Sequence, residues 1–161
     1  PVPQRVISTT FSPGKETRLA TSEEIMTMLQ ENLSDELGSI IQYMWQHVSA
    51  KGIESAEIRD RFRAASMDEM RHAEEIAERI DELGGDPNIK VGEIRSGGDL
   101  KKMLRDNVEH ESEAVERYIR HIQAIGMSDP TTRRLLEEIL ADEERHRAWM
   151  DSTSARRLST I

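Results

Sequence analysis

The sequence predicts an all-α fold, a four-helix bundle with one long crossover. Three observations carry this expectation: four segments repeat apolar residues at helical steps, no segment alternates as a strand would, and the links between segments run short, long, short. Links of a few residues force antiparallel hairpins. The 16-residue central link reaches about 50 Å at roughly 3.3 Å per residue, enough to run the length of a helix of about 25–30 residues.

Each element has its own signals. Residues 1–20 carry three Pro, several Ser/Thr and no apolar period, which predicts an irregular arm ahead of a bundle over 21–155 and a tail over 156–161. Thr21 and Glu24 have capping-box spacing, and Ile25, Leu29, Leu33, Ile40, Tyr43 and His47 follow at steps of three and four with one gap. This first helix should reach about Ala50, where Lys51-Gly52 stops it. A second period, Ile58, Phe62, Ala65, Ile76, Ile80 and Leu83, again has one gap and ends at Gly84-Gly85-Asp86-Pro87. Residues 84–99 hold five Gly and one Pro and form the long link. The third helix should start with Asp99 as N-cap and continue through Leu104, Val108, Val115, Tyr118, Ile122 and Ile125. The fourth starts at Asp129-Pro130, an N-cap followed by Pro at the first helical position. It should run through Leu136, Ile139 and Met150 and end before Ser152-Thr153-Ser154.

Composition narrows the chemistry. The 161 residues include 22 Lys+Arg against 31 Asp+Glu, a formal charge of −9, which disfavours nucleic acid and concentrates small cations. There is no cysteine, so disulfides, thiolate zinc sites, iron–sulfur clusters and thiol nucleophiles are excluded, and five His remain as nitrogen donors. No stretch approaches the roughly 20 apolar residues that cross a bilayer, and the first residues have no apolar signal core, so a cytoplasmic protein without membrane contact is expected.

The gaps in the apolar stripes hold carboxylates. Glu36 lies between Leu33 and Ile40, Glu69 and His72 between Ala65 and Ile76, Glu111 between Val108 and Val115, and Glu143 and His146 between Ile139 and Met150. Every helix therefore aims an acid at the core, where an isolated charge costs several kcal/mol unless it is protonated, paired or bound to metal. Counted from the turns, the four Glu are level to within about one helical turn. Glu36 to Glu69 is 33 residues and Glu111 to Glu143 is 32, and Tyr43 and Tyr118 each follow the first Glu of their hairpin by seven residues. The halves thus read as one hairpin repeated about a pseudo-two-fold axis. The i, i+3 spacing puts each Glu-x-x-His pair on one helix face. Four carboxylates call for two divalent cations; oxygen with imidazole suits iron or manganese, and zinc less selectively. In the third helix Glu113 is the fallback to Glu111.

These residues resemble the ferritin-like di-iron carboxylate proteins, bacterioferritin most closely. The likeness runs from Leu33-Ser34-Asp35-Glu36-Leu37 through Asp68-Glu69-Met70-Arg71-His72-Ala73 and Gly85-Asp86-Pro87-Asn88 to Asp142-Glu143-Glu144-Arg145-His146. The resemblance implies that Glu69 and Glu143 bridge two irons, that Glu36 with His72 completes one site and Glu111 with His146 the other, and that Tyr43 and Tyr118 hydrogen-bond ligand carboxylates. It implies ferroxidation: two Fe(II) per subunit are oxidised by dioxygen or hydrogen peroxide, and Fe(III) is stored as mineral inside a hollow homo-oligomeric shell. The 15 residues after His146 leave no evident room for a fifth helix, which favours 12 subunits over 24. Met70 matches the methionine that holds haem in bacterioferritin, although a plain subunit-contact Met is the simpler expectation.

Other features have blander expectations. His110 and His121 fall off the stripe and should lie on the surface. His47, eleven residues past Glu36, is either a transit ligand or a buried, hydrogen-bonded His. Arg145, Arg147, Arg156 and Arg157 could touch DNA, but a solvated face or subunit salt bridges suit the acidic total better. Competing functions on the same bundle are a discrete oxidoreductase, rubrerythrin-like or manganese-catalase-like, and a stress-protection bundle that binds metal without turnover.

Overall fold

Four helices follow the expected periods: α1 Ser22–Ser49, α2 Ser55–Glu82, α3 Leu100–Ile125 and α4 Pro130–Leu158. The structure is a computed structural model that describes residues 18–52 and 55–158. The arm expected over 1–20 lies outside the described residues, apart from Arg18–Ala20.

Local chemistry sets the helix ends. Glu24 N donates to Thr21 Oγ1 at 3.3 Å while Thr21 N donates to Glu24 Oε2 at 2.7 Å, the reciprocal capping box that starts α1. Asp99 caps α3 through Lys102 N at 2.8 Å, and Asp129 caps α4 through Thr132 N at 3.0 Å, with Pro130 next in line. Gly126 closes α3 at φ 52°, a left-handed conformation that costs glycine little. The turn to α4 follows directly. One end differs from expectation: α4 continues through Ser152-Thr153-Ser154 to Leu158. Inside a helix such hydroxyls return to the preceding turn, as Ser152 Oγ does to Trp149 O at 3.0 Å, so without Gly or Pro they do not break it.

α1 packs along α2, and α3 along α4, as two antiparallel hairpins. The crossover runs along α1, held by Asn88 N to Gln30 Oε1 at 2.9 Å, Gly92 N to Ser34 O at 2.7 Å and Arg95 N to Gln42 Oε1 at 2.6 Å. Side chains are excluded where the two chains meet: a Cβ on Gly92 would lie 2.8 Å from Ser34 O, and one on Gly38 would lie 3.0 Å from Glu93 O. This path returns the chain to the C-terminal end of α1, so α3 runs antiparallel to α1.

The apolar core is divided. One cluster gathers Leu29, Leu33, Ile76, Ile80, Ile125, Leu136 and Ile139; the other gathers Ile58, Phe62, Met103, Leu104 and Met150. Between them sits a polar layer. Leu83, expected on the second apolar stripe, lies just past α2 and is 40% exposed. No helix among the described residues is long and apolar enough to cross a membrane.

Candidate metal centre

The polar layer brings together all six side chains that occupy the gaps in the stripes. Glu36 comes from α1, Glu69 and His72 from α2, Glu111 from α3, and Glu143 and His146 from α4; the four carboxylates are at most 2% exposed. Two groups of donors form, Glu36/Glu69/His72/Glu143 and Glu69/Glu111/Glu143/His146, each with its ligand atoms within 4.8 Å of one another. Glu69 and Glu143 belong to both.

The two central carboxylates divide their oxygens between the halves. Glu69 turns Oε2 to His72 Nδ1 at 3.0 Å and Oε1 to His146 Nδ1 at 3.1 Å. Glu143 turns Oε1 to His72 Nδ1 at 3.0 Å and Oε2 to His146 Nδ1 at 3.9 Å. Glu36 Oε2 stands 3.7 Å from His72 Nδ1, and Glu111 Oε1 stands 4.0 Å from His146 Nδ1. Glu69 Oε1, Glu143 Oε1 and His146 Nδ1 are buried without a hydrogen bond despite these approaches. Donor atoms that converge yet do not bond one another fit a central cation. Hard carboxylate oxygens with two imidazole nitrogens suit paired iron ions.

The outer contacts cross between hairpins. Tyr43 on α1 donates to Glu111 on α3, and Tyr118 on α3 donates to Glu36 on α1. His72 Nε2 meets Asp142 Oδ2 at 3.1 Å, and His146 Nε2 meets Asp68 Oδ2 at 3.2 Å. Each imidazole is thus oriented by an acid of the opposite hairpin, leaving Nδ1 turned inward. Asp68 and Asp142 were not singled out by the apolar stripes. Their signal was the string Asp-Glu-x-Arg-His, which occurs once in each hairpin. Asp68→Asn or Asp142→Asn should weaken divalent-metal affinity about 10–100-fold, read by competition with a chromophoric chelator.

Electrostatics follow from crowding. Burial, then neighbouring carboxylates, raise Glu111 well above the usual range and carry Glu143 to about 7. Burial also takes Glu69 to about 7 against the pull of His146 and His72. Glu36 is lowered, because its bonds and charge attraction with His72 outweigh burial. Burial disfavours charge on the imidazoles, yet the surrounding carboxylates raise His72 to about 12 and His146 to about 10. Both phenols are pushed up by burial and by the acids, so they stay neutral donors.

Other expectations fare differently. His110 and His121, expected on the surface, are 4% and 8% exposed. A polar seam between α1 and α3 accommodates them: His110 Nε2 meets Ser39 Oγ at 2.7 Å, and His121 Nδ1 meets Asn32 Oδ1 at 3.1 Å. His47 is half-buried, with Nδ1 on Arg59 O at 2.8 Å. Glu113, the fallback, points outward to Arg95 at 2.6 Å. Met70 is 48% exposed, away from the centre.

Residues 26–157 match the family described as Ferritin-like domain. The chain belongs to the ferritin-like family. This ferritin-like chain is 34% identical to the bacterioferritin of Mycobacterium leprae, over 82% of its own length and 84% of the relative's. Its fold is similar to the X-ray structure of Desulfovibrio desulfuricans bacterioferritin, whose di-iron site has been seen in different catalytic states. That likeness has a TM-score of 0.82 at 28% identity, covering 86% of this chain and 82% of the other. It is also similar to a dodecameric thioferritin, the bacterioferritin-related protein of Bacteroides fragilis, with a TM-score of 0.79 at 26% identity over 88% and 91% of the two chains.

Proposed function

We propose that this ferritin-like chain is a ferroxidase and iron store whose substrate ions are held by Glu36, Glu69, His72, Glu111, Glu143 and His146. Two Fe(II) enter as substrate and give one electron each; dioxygen or hydrogen peroxide accepts them, and Fe(III) moves on to storage in a hollow homo-oligomer. The observation that carries this is the division of the Glu69 and Glu143 oxygens between the two imidazoles. Those two acids would be shared by the two ions, with Glu36 and His72 completing one position and Glu111 and His146 the other.

The chain's own groups do the rest. Tyr43 and Tyr118 keep Glu111 and Glu36 from swinging away, and Asp142 and Asp68 accept from Nε2 and hold its proton there, while Nδ1 releases its proton to water as a cation takes its place. Four carboxylates meet the charge of two divalent ions and favour the trivalent state still more.

Assembly has its own support. Ile41, Met44, Trp45 and Val48 on α1 and Met67 and Met70 on α2 are exposed, and apolar groups of this size in water mark contact surfaces. Twelve subunits is the assembly we favour, by likeness to the dodecameric thioferritin. The cytoplasm is the compartment expected for it, and its working domain is the four-helix bundle, which α4 carries past the expected end at 155 to Leu158. Haem at Met70 rests on that residue's position alone and forms no part of the proposal.

The test combines size with turnover. Twelve copies of the 18.4 kDa chain should elute at about 220 kDa. Fe(II) added in air should give a fast near-ultraviolet rise that saturates at two ions per chain. Elution as a small oligomer would favour a discrete oxidoreductase, and metal uptake without absorbance change would favour passive binding.

A further inference from the structure

The repeated Asp-Glu-x-Arg-His string contains an arginine that the metal centre does not use. Arg71 and Arg145 stand two residues after Glu69 and Glu143, at matching places in the two hairpins. Both reach Asp142: Arg71 Nη2 lies 2.6 Å from Oδ2, and Arg145 pairs with Oδ1. One carboxylate therefore serves two guanidinium groups, and Asp142 is also engaged with His72. Arg71 has a further partner in Glu75 at 3.2 Å, on the next turn of α2. A third guanidinium, Arg61, lies 5.6 Å over the Trp149 ring and pairs with no carboxylate among the described residues.

These three cations line a cleft of about 260 Å³ between α2 and α4, walled by Ala65 and Trp149 and reaching His146. Asp68, half-exposed, reaches His146 and Asp142 reaches His72, while the half-exposed Arg71 and the exposed Arg145 stand at the rim beside them. His146 is the most exposed of the six site residues, its side chain 14% accessible, so the cleft leads to the centre. Asp142 and Glu75 engage Arg71 and Arg145, so Arg61 is the guanidinium at that mouth left with no carboxylate partner among the described residues.

We propose that this cleft is an oxyanion site that takes inorganic phosphate. Guanidinium groups offer paired N–H donors that match phosphate oxygens, and Arg61 is free to turn from the indole face toward an anion. Where the ferroxidase proposal above also holds, a phosphate here meets Fe(III) as it leaves the centre, hard oxyanion with hard cation.

Calorimetric titration of inorganic phosphate into the metal-free, assembled protein at low ionic strength tests this. Saturable binding near one ion per chain is expected. The double variant Arg61→Ala/Arg145→Ala should weaken it by about tenfold or more, while Arg134→Ala, remote on α4, leaves it unchanged. Both cleft arginines are exposed, and melting curves of the variants check that the fold persists. Absence of saturable binding, an unchanged double variant, or an equal response to chloride would overturn the proposal. No iron enters this titration, so it can fail while Fe(II) oxidation stands, and the reverse.

Discussion

Glu69→Ala and Glu143→Ala, made singly, are expected to abolish the fast phase of Fe(II) oxidation, measured by stopped-flow absorbance at two Fe(II) per chain. Each of these acids is shared by both donor groups, so either change removes a ligand from both positions at once. A loss of about 100-fold or more in initial rate corresponds to about 2.7 kcal/mol of barrier. Glu36→Ala and Glu111→Ala touch one position each and should leave partial binding. The central variants lose a buried partner of the imidazoles along with a crowded carboxylate, so the metal-free Tm should fall moderately while the fold persists, checked by melting curves. What disappears is the Tm gain on adding metal, because ligand binding to the native state alone stabilises it. Unchanged oxidation kinetics in both variants would remove the site from consideration.

The metal-free protein should lose stability as pH rises from about 6 to 8. The sign follows from the shifts. Glu69 and Glu143 titrate near 7 in the folded chain against an ordinary 4.5, and Glu111 is raised as well, so the native state holds protons that the unfolded chain has already released. Their contribution is full below the ordinary carboxylate range and is lost as pH climbs through 7. His72 and His146 act in the same direction: raised to about 12 and about 10, they favour the fold fully below 6.5 and progressively less above it. Glu36 and Asp129 oppose at acid pH, where their lowered pKa values are crossed, and His110 and His121, lowered by burial, oppose below about 6.5, so the falling limb is clearest above that. Added Zn(II) should reverse the slope, since the arriving cation displaces the same protons and binds more tightly as pH rises. Thermal melts at several pH values, with and without metal, check both limbs; a flat metal-free profile would contradict the shifts.

Much of the fold and the centre was legible because burial of an acid interrupts an apolar stripe. Glu36 between Leu33 and Ile40 is visible as a missing hydrophobe, and the duplication tells that the four interruptions share one level. Asp68 and Asp142 escaped because a charge one position before a ligand sits off the stripe, where a solvated acid is the ordinary occupant. His110 and His121 escaped for a related reason. Their partners, Ser39 and Asn32, lie on another helix, and periodicity within one helix says nothing of a polar seam between two. The end of α4 was misplaced since Ser, Thr and Ser mark caps by preference but are tolerated inside a helix.

The crossed contacts bear on ancestry. Each hairpin lends the other a tyrosine, an aspartate and half the oxygens of its central glutamate, so neither could complete an ion-binding position unaided. That reciprocity is what a symmetric pair of identical half-length chains would produce, with two ions straddling their dyad. Joining such a pair end to end requires a strap as long as the helices themselves, laid in a groove clear of side chains, and the glycine-to-backbone contacts at Gly38 and Gly92 supply it. The two repeated strings differ only at their middle position, Met70 in one hairpin and Glu144 in the other.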